Sequence, residues 1–432
     1  MIQTRKLGYW ETTCRFAHDL VHGTGTVVAI AKVAGLIEFS TLRKAIFQLF
    51  ERHPLLKTTL KTKHDGAYFY TDANFDSVPI TYLQQQVEDE WQQIVEKELK
   101  ATFQNDSVLW RITILSSIGA KEHHFIISAH HAIADALSLV SLTHDLLIFY
   151  ESQLRSKIQP KTPLPFLPNI EKLLNYQNDW DNFLHHKKQT ENLPVDKWDY
   201  ASFVPIKDRT TRVMYSVLEP TQLKHLIDGA RSNHTTVNAA LNATMMLTAC
   251  ELYERELNIL LSTPVNLRPY CYPSLSQTHI GCYISMVKTI HENIKSTMDF
   301  WDLARDYQEH LKNKIPQLGF LPANFDFYNF DSHELMDLFG MRNTSRRSYF
   351  SDGFGVSNIG KIMLNPPNRQ LKVTSFYFCT NRQVGDFVIF LNVATLNNKM
   401  HLSFCYVEPL VTHEFAERFL KKFMLLLPCH DS

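Results

Sequence analysis

Apolar positions recur along the chain in two rhythms, short runs suited to strands and three-to-four-residue spacings suited to helices. Residues 27–31 form an apolar strand run, and residues 40–51 a helix whose inner face is Leu42, Ala45, Ile46, Leu49 and Phe50, capped by Ser40. Residues 57–60 and 67–70 flank His64-Asp65-Gly66, a turn signal, and read as a hairpin. A second amphipathic helix covers 88–101. Residues 110–115 and 122–129 pair as strands across the turn 116–121, and Leu137, Val140, Leu142, Leu146, Leu147 and Phe149 follow at helical spacing. Strands and helices alternate, which predicts an α/β fold rather than a bundle or a sandwich.

The pattern then lapses. Pro160, Pro163, Pro165 and Pro168 argue for an extended surface segment, residues 170–186 for a polar helix, and 187–212 for a charged connection. This divides the chain into an N-terminal unit (1–175), a crossover (176–212) and a C-terminal unit (213–432). Alternation resumes with a strand at 213–218, a helix at 220–231 and a long helix at 234–256 that is apolar almost all round from 239 to 249, as a buried helix is. Strands at 257–263 and 282–291, a helix at 298–312, a hairpin of 387–394 with 399–406 about Asn397-Asn398, and a closing helix at 412–427 complete the second unit. Residues 315–350 carry aromatics without a period and read as irregular.

A chain of 432 residues exceeds one ordinary core, and 44% apolar residues with only 14 glycines mark it as globular. Forty-four basic and 44 acidic side chains cancel, so nothing points to nucleic acid or an anionic membrane. No apolar stretch approaches the ~18 residues of a transmembrane helix, and the first residues lack the apolar run of a secretory signal. The seven cysteines form no CxxC pair and no zinc-like spacing, which predicts a cytoplasmic protein with reduced, buried thiols and no metal.

The candidate chemistry lies at 128–138, where a strand hands over to a helix and presents His130, His131 and Asp135. An imidazole titrating near pH ~6.5 can take up a proton and return it within one cycle. The same residues also suit a structural pair closing a strand, with Asp135 as helix cap. As metal ligands, His131 and Asp135 could lie on one side of a turn, but they lack a third partner at a recognisable spacing. His53 reads as a helix-terminal residue favoured by the dipole.

His130-His131-x-x-x-Asp135 resembles the HHxxxDG motif of the superfamily containing chloramphenicol acetyltransferase, peptide-synthetase condensation domains, plant BAHD acyltransferases, and alcohol and polyketide-associated acyltransferases. Arg52-His53-Pro54-Leu55-Leu56-Lys57, Leu109-Trp110-Arg111-Ile112, the Thr236-to-Leu241 segment, Asn266-Leu267-Arg268-Pro269, Ile280-Gly281-Cys282-Tyr283-Ile284-Ser285 and Val356-Ser357-Asn358-Ile359-Gly360 resemble further segments of that superfamily, in its order. Two departures stand out. Ala136 replaces the motif's glycine, and Asp352-Gly353-Phe354-Gly355 only approximates the plant D-F-G-W-G, which moves the likeness toward the alcohol acetyltransferase and polyketide-associated branch.

The resemblance implies two similar chloramphenicol acetyltransferase-like subdomains, each a mixed sheet flanked by helices, with an active-site tunnel between them. It implies that His131 is the general base and that Asp135 pairs with Arg268, while His130 packs behind. Ser357, Asn358, Tyr283 and Ser285 become candidates for oxyanion stabilisation or tunnel lining. Cys282, without a recognisable histidine partner motif, is not expected to act as a nucleophile. No bound cofactor is implied; acyl-coenzyme A or an acyl-carrier protein would be the co-substrate and an alcohol or amine the acceptor. A free-standing condensation enzyme forming an amide, and a catalytically inactive binding module of the same fold, are the rival readings.

Overall fold

Two mixed sheets carry the molecule, and the chain between them crosses more than once. The computed structural model describes residues 2–104, 106–117, 119, 121–155, 162–174, 195–315, 348–364 and 370–429. The first half runs β1 (Thr4–Lys6), α1 (Tyr9–Leu20), β2 (Val27–Ala34), α2 (Phe39–Arg52), β3 (Thr59–Lys63), β4 (Gly66–Tyr70), β5 (Ile80–Gln84), α3 (Glu90–Lys100), β6 (Trp110–Ser116), β7 (Glu122–Ala129), α4 (Ala136–Leu154) and the single turn α5 (Ile170–Leu173). The second half runs β8 (Trp198–Asp199), β9 (Thr210–Leu218), α6 (Pro220–Ser232), α7 (Val237–Tyr253), β10 (Leu257–Asn266), β11 (Ile284–Ile294), α8 (Phe300–Lys314), β12 (Tyr349–Phe350), β13 (Gly353–Lys361), β14 (Lys372–Thr380), β15 (Phe387–Leu396), β16 (Lys399–Glu408) and α9 (His413–Leu426).

One sheet has the order β14-β2-β7-β6-β5 and the other β11-β10-β13-β15-β16-β9. The first is antiparallel except for β5 beside β6, and the second is parallel at β10/β13 and β13/β15. This is the mixed α/β arrangement expected. Apolar faces of α2 and α4 join the β2–β7–β6 strands in one core, and α7 lies in the other with every residue from Ala239 to Cys250 buried. The all-round apolar pattern of that helix therefore reads correctly as burial. Among the described residues, no helix is long and apolar enough to cross a membrane.

The linear division at 176–212 needs correcting. β14, deep in the C-terminal unit by sequence, pairs antiparallel with β2 of the first sheet, placing Thr380 opposite Val27 and Phe378 opposite Ala29. The two halves thus share a strand. Its register shifts between Val373 and Ser375, which breaks the alternation that would have announced it in the sequence. Of the predicted polar helix 170–186 only 170–174 is described, of which Ile170–Leu173 is helical; 175–194 and 316–347, and with them most of the crossover and the irregular segment, lie outside the described residues.

Candidate active site

The turn that carries the histidines is built by its neighbours. The His130 amide bonds Leu109 O at 2.9 Å and the Ile133 amide bonds His130 O at 3.0 Å, so the chain leaves β7 through a fixed turn. Asp135 then caps α4, its Oδ1 accepting from the Ser138 amide at 2.8 Å. Ala136, where the motif has glycine, is the first residue of α4 and has no positive φ, so its Cβ is accommodated in ordinary helical backbone.

Asp135 forms one half of a wholly buried clasp. Arg268, just past the end of β10, donates Nη1 to Asp135 Oδ2 at 2.8 Å and Nη2 to Oδ1 at 2.9 Å. The Ser138 hydroxyl and the Tyr283 amide also donate to the carboxylate, at 2.8 and 3.0 Å. Burial pushes this carboxyl upward, but the Arg268 charge and its hydrogen bonds outweigh that and hold it below the usual carboxylate range. The Arg268 guanidinium lies 4.8 Å from the centre of the Tyr283 ring. The sequence motifs therefore identify a genuine ion pair linking the two halves.

His130 and His131 face different surroundings. His130 Nδ1 accepts from the Ala132 amide at 3.0 Å, and its ring packs 4.6 Å from His18, where burial holds it neutral, well below the ordinary imidazole range. His131 is partly exposed in the wall of a cavity of about 220 Å³. Its Nδ1 lies 3.5 Å from Cys282 Sγ. Burial would depress the His131 imidazole, but Cys282, the Asp135 charge and its own carbonyl together raise it above the usual value. The Cys282 thiol is itself pushed far up by its hydrogen bond with Cys14 and by burial. Cys282 does have a histidine neighbour, which its sequence context did not reveal, yet it does not line the cavity.

Both halves line that cavity: Val27, His131 and Ala136 on one side, Ile284, Met286 and Ser357 on the other. Ser357 and Asn358 arrive there as expected. A register shift after Asn358 disturbs the strict alternation of β13, which lets adjacent residues reach the same space. Asn358 Oδ1 accepts from the Gly360 amide at 2.9 Å, which leaves its NH₂ as the group to offer a ligand. Tyr283 and Ser285 correct the reading. Along β11 it is Ile284 and Met286 that face the cavity, so Ser285 points to the opposite face, and Tyr283 is committed to packing on Arg268.

Residues from β14 and its neighbours were missed: Phe378, Thr380, Arg382 and, on β15, Asn392 all line the cavity. Arg382 is held 3.1 Å from Asp386 and stacks 4.3 Å from the centre of Phe390. The aromatic and β-branched richness of 372–380 was the available signal. His53 is also more than a helix end: buried, its Nε2 lies 3.1 Å from Asp145 Oδ2 on α4. A larger groove of about 570 Å³, around Arg212, Glu96 and Glu408, lies elsewhere and contains no motif residue.

The family model described as "Condensation domain" matches residues 26–429. Solved structures of similar shape include the TRI3 trichothecene 15-O-acetyltransferase from Fusarium sporotrichioides, with TM-score 0.75, 11% identity and 99% and 96% of the two chains covered. Polyketide synthase associated protein 5 from Mycobacterium tuberculosis gives 0.67, 15%, 98% and 96%. At such identities the likeness is one of fold, and it is the two-subdomain chloramphenicol acetyltransferase-like fold expected from the motifs. A linear gramicidin synthase from Brevibacillus parabrevis is 25% identical over 140 residues, 31% of this chain but 3% of that protein, so the chain spans a small fraction of that relative's length.

Proposed function

Since the chain belongs to the condensation-domain family, we propose that it is an acyltransferase that moves an acyl group from a thioester, on coenzyme A or a carrier protein, to an alcohol or amine. The observation that carries this reading is His131 in the wall of a cavity shared by both halves, with Asp135 beside it bound by Arg268.

With its Nδ1 side taken up by Cys282 and its own carbonyl, the imidazole offers Nε2 to a substrate. In this mechanism Nε2 takes the proton of the acceptor O–H or N–H as that atom attacks the thioester carbonyl carbon. The carbonyl π electrons move to oxygen, and the Ser357 hydroxyl and the Asn358 NH₂ are the donors available to the oxyanion. Collapse re-forms the carbonyl and breaks the C–S bond, and the departing thiolate takes the proton back from the imidazolium. General-base help of this kind is worth roughly 10² to 10⁴ in rate. Transfer is direct in this mechanism, since Cys282 does not line the cavity.

Likeness of shape to the TRI3 trichothecene 15-O-acetyltransferase favours an alcohol acceptor. Condensation of two carrier-bound substrates into an amide is the second reading, favoured by the match to linear gramicidin synthase. Mass spectrometry separates them: acyl-coenzyme A and a panel of alcohols yield esters under the first reading, whereas amide formation only from carrier-bound donors and acceptors supports the second. Absence of any acylated product from either donor class overturns both.

A further inference from the structure

Two cysteines that no sequence spacing connects stand beside His131. Cys14 on α1, His131 in the turn after β7 and Cys282 just before β11 come from three distant segments. One potential ligand atom of each, two sulfurs and an imidazole nitrogen, lies within 4.8 Å of the other two. Cys282 Sγ is already 3.5 Å from His131 Nδ1, and neither cysteine is in a disulfide.

We propose that Cys14, His131 and Cys282 form a binding site for a thiophilic divalent cation, zinc above all, and that its occupancy switches the His131 base off. Zinc holds sulfur at about 2.3 Å and imidazole nitrogen at about 2.0–2.1 Å in a tetrahedron, so its ligand atoms stand roughly 3.5–4 Å apart. The Cys282–His131 edge already has that length, and the others close with a shift of about 1 Å or less. Two thiolates, a neutral imidazole and a dication carry no net charge, which suits the buried side of the site. Cys14 is partly exposed and gives the ion a way in. A third ligand was what the His131-x-x-x-Asp135 spacing lacked; the fold supplies two sulfurs beside His131 instead, and water would fill the fourth position.

Coordination releases both thiol protons to solvent. A metal on Nδ1 leaves the imidazole's single proton on Nε2, so that nitrogen has no lone pair with which to accept a proton from substrate. This consequence rests on the acyltransfer reading; the binding itself does not.

The test uses the full chain, reduced and stripped with a chelator, and titrated with Cd²⁺ while the sulfur-to-metal charge-transfer absorbance is followed. The expected result is a band that saturates at one ion per chain, is displaced by Zn²⁺, and weakens at least tenfold in apparent affinity in both Cys14→Ala and Cys282→Ser. The His291, Asp306 and His310 cluster, the other such group among the described residues, has no sulfur and gives no such band. Cys14, being partly exposed, keeps the comparison valid if the Cys282 variant folds poorly. Absence of the band, or its persistence in Cys14→Ala, overturns the site. So does a Cys14–Cys282 disulfide whose reduction restores no metal uptake. In a protein active in acyl transfer, Zn²⁺ inhibits the wild type and at least tenfold less effectively Cys14→Ala; an inactive protein that still shows the band refutes the acyltransfer reading and leaves the metal site standing.

Discussion

Arg268 and Asp135, 133 positions apart in sequence, meet through two parallel hydrogen bonds of 2.8 and 2.9 Å, with each side chain all but inaccessible to solvent. The pair fastens the end of β10 to the start of α4 and so sets the turn from which His131 projects. Its carboxylate is saturated by the guanidinium, Ser138 and the Tyr283 amide, which leaves it no capacity to orient His131 directly. It is a positioning device.

Removing one partner strands a buried charge. Arg268→Ala and Asp135→Ala should each lower unfolding free energy by on the order of 3–5 kcal/mol, measured by denaturant titration. Arg268→Lys should recover only part, since an ammonium cannot make the paired contacts of a guanidinium. A loss within about 0.5 kcal/mol, the range of an ordinary surface substitution, would mean the clasp is not closed in solution.

Gly281 is where the second half comes closest to this clasp. Its carbonyl accepts from the Asp135 amide at 3.1 Å, and a Cβ there would stand 2.6 Å from the Tyr283 ring. Gly281→Ala should therefore displace Tyr283 from Arg268 and cost about 1–3 kcal/mol, the usual range for overpacking. In thermal denaturation Gly360→Ala, whose added Cβ meets nothing within 4 Å but sits at φ +72°, reports backbone strain alone, so a larger loss in Gly281→Ala marks the packing effect.

Met286 and Ile284 line the cavity, so under the acyltransfer reading they would set how much acyl chain it accepts. Filling that space with Met286→Trp should leave acetyl transfer nearly intact and reduce kcat/KM for an eight-carbon donor by roughly tenfold or more, since each methylene excluded forfeits about 0.8 kcal/mol. Equal losses for both donors would place the acyl chain elsewhere.

Glu171 on α5 predicts a pH effect on stability. Burial first, then the Glu11 charge, push its carboxyl up to about 7, while its Oε1 accepts from the Trp10 amide at 3.1 Å. A folded value raised above the unfolded ~4.3 stabilises fully below pH ~4.3 and loses that contribution as pH rises toward 7. Glu171→Gln keeps the acceptor and removes the charge. Relative to wild type it should therefore gain stability between pH 4.5 and 7.5, by on the order of 3 kcal/mol at the upper end. Parallel pH–stability curves for the two proteins would contradict this.

Much of this architecture could be read before any coordinates. The apolar runs of β2, β6 and β7 and the all-round apolar α7 announce two cores, and the resemblance of the His130-His131-x-x-x-Asp135 and Asn266-Leu267-Arg268-Pro269 segments to known motifs implies the clasp. What escaped did so for physical reasons. The bulge after Val373 shifts the phase of β14, which hid the strand that brings Phe378 and Thr380 to the cavity. Ser285 lay in a segment resembling a known motif, but strand alternation turns it away and presents Met286 instead. Cys14, His131 and Cys282 have no informative spacing, because only the approach of α1 to the β11 entry unites them.

The central claim is that His131 is the base, and it is tested most directly by thiol release from acetyl- and longer acyl-coenzyme A with simple alcohols, comparing wild type with His131→Ala at matched folding. Activity in the wild type should rise with pH through a value above the ordinary imidazole pKa, because the base must be neutral to accept a proton. The variant should fall by roughly 10² to 10⁴. A turning-over wild type whose His131→Ala variant keeps its rate within a few-fold would contradict the account.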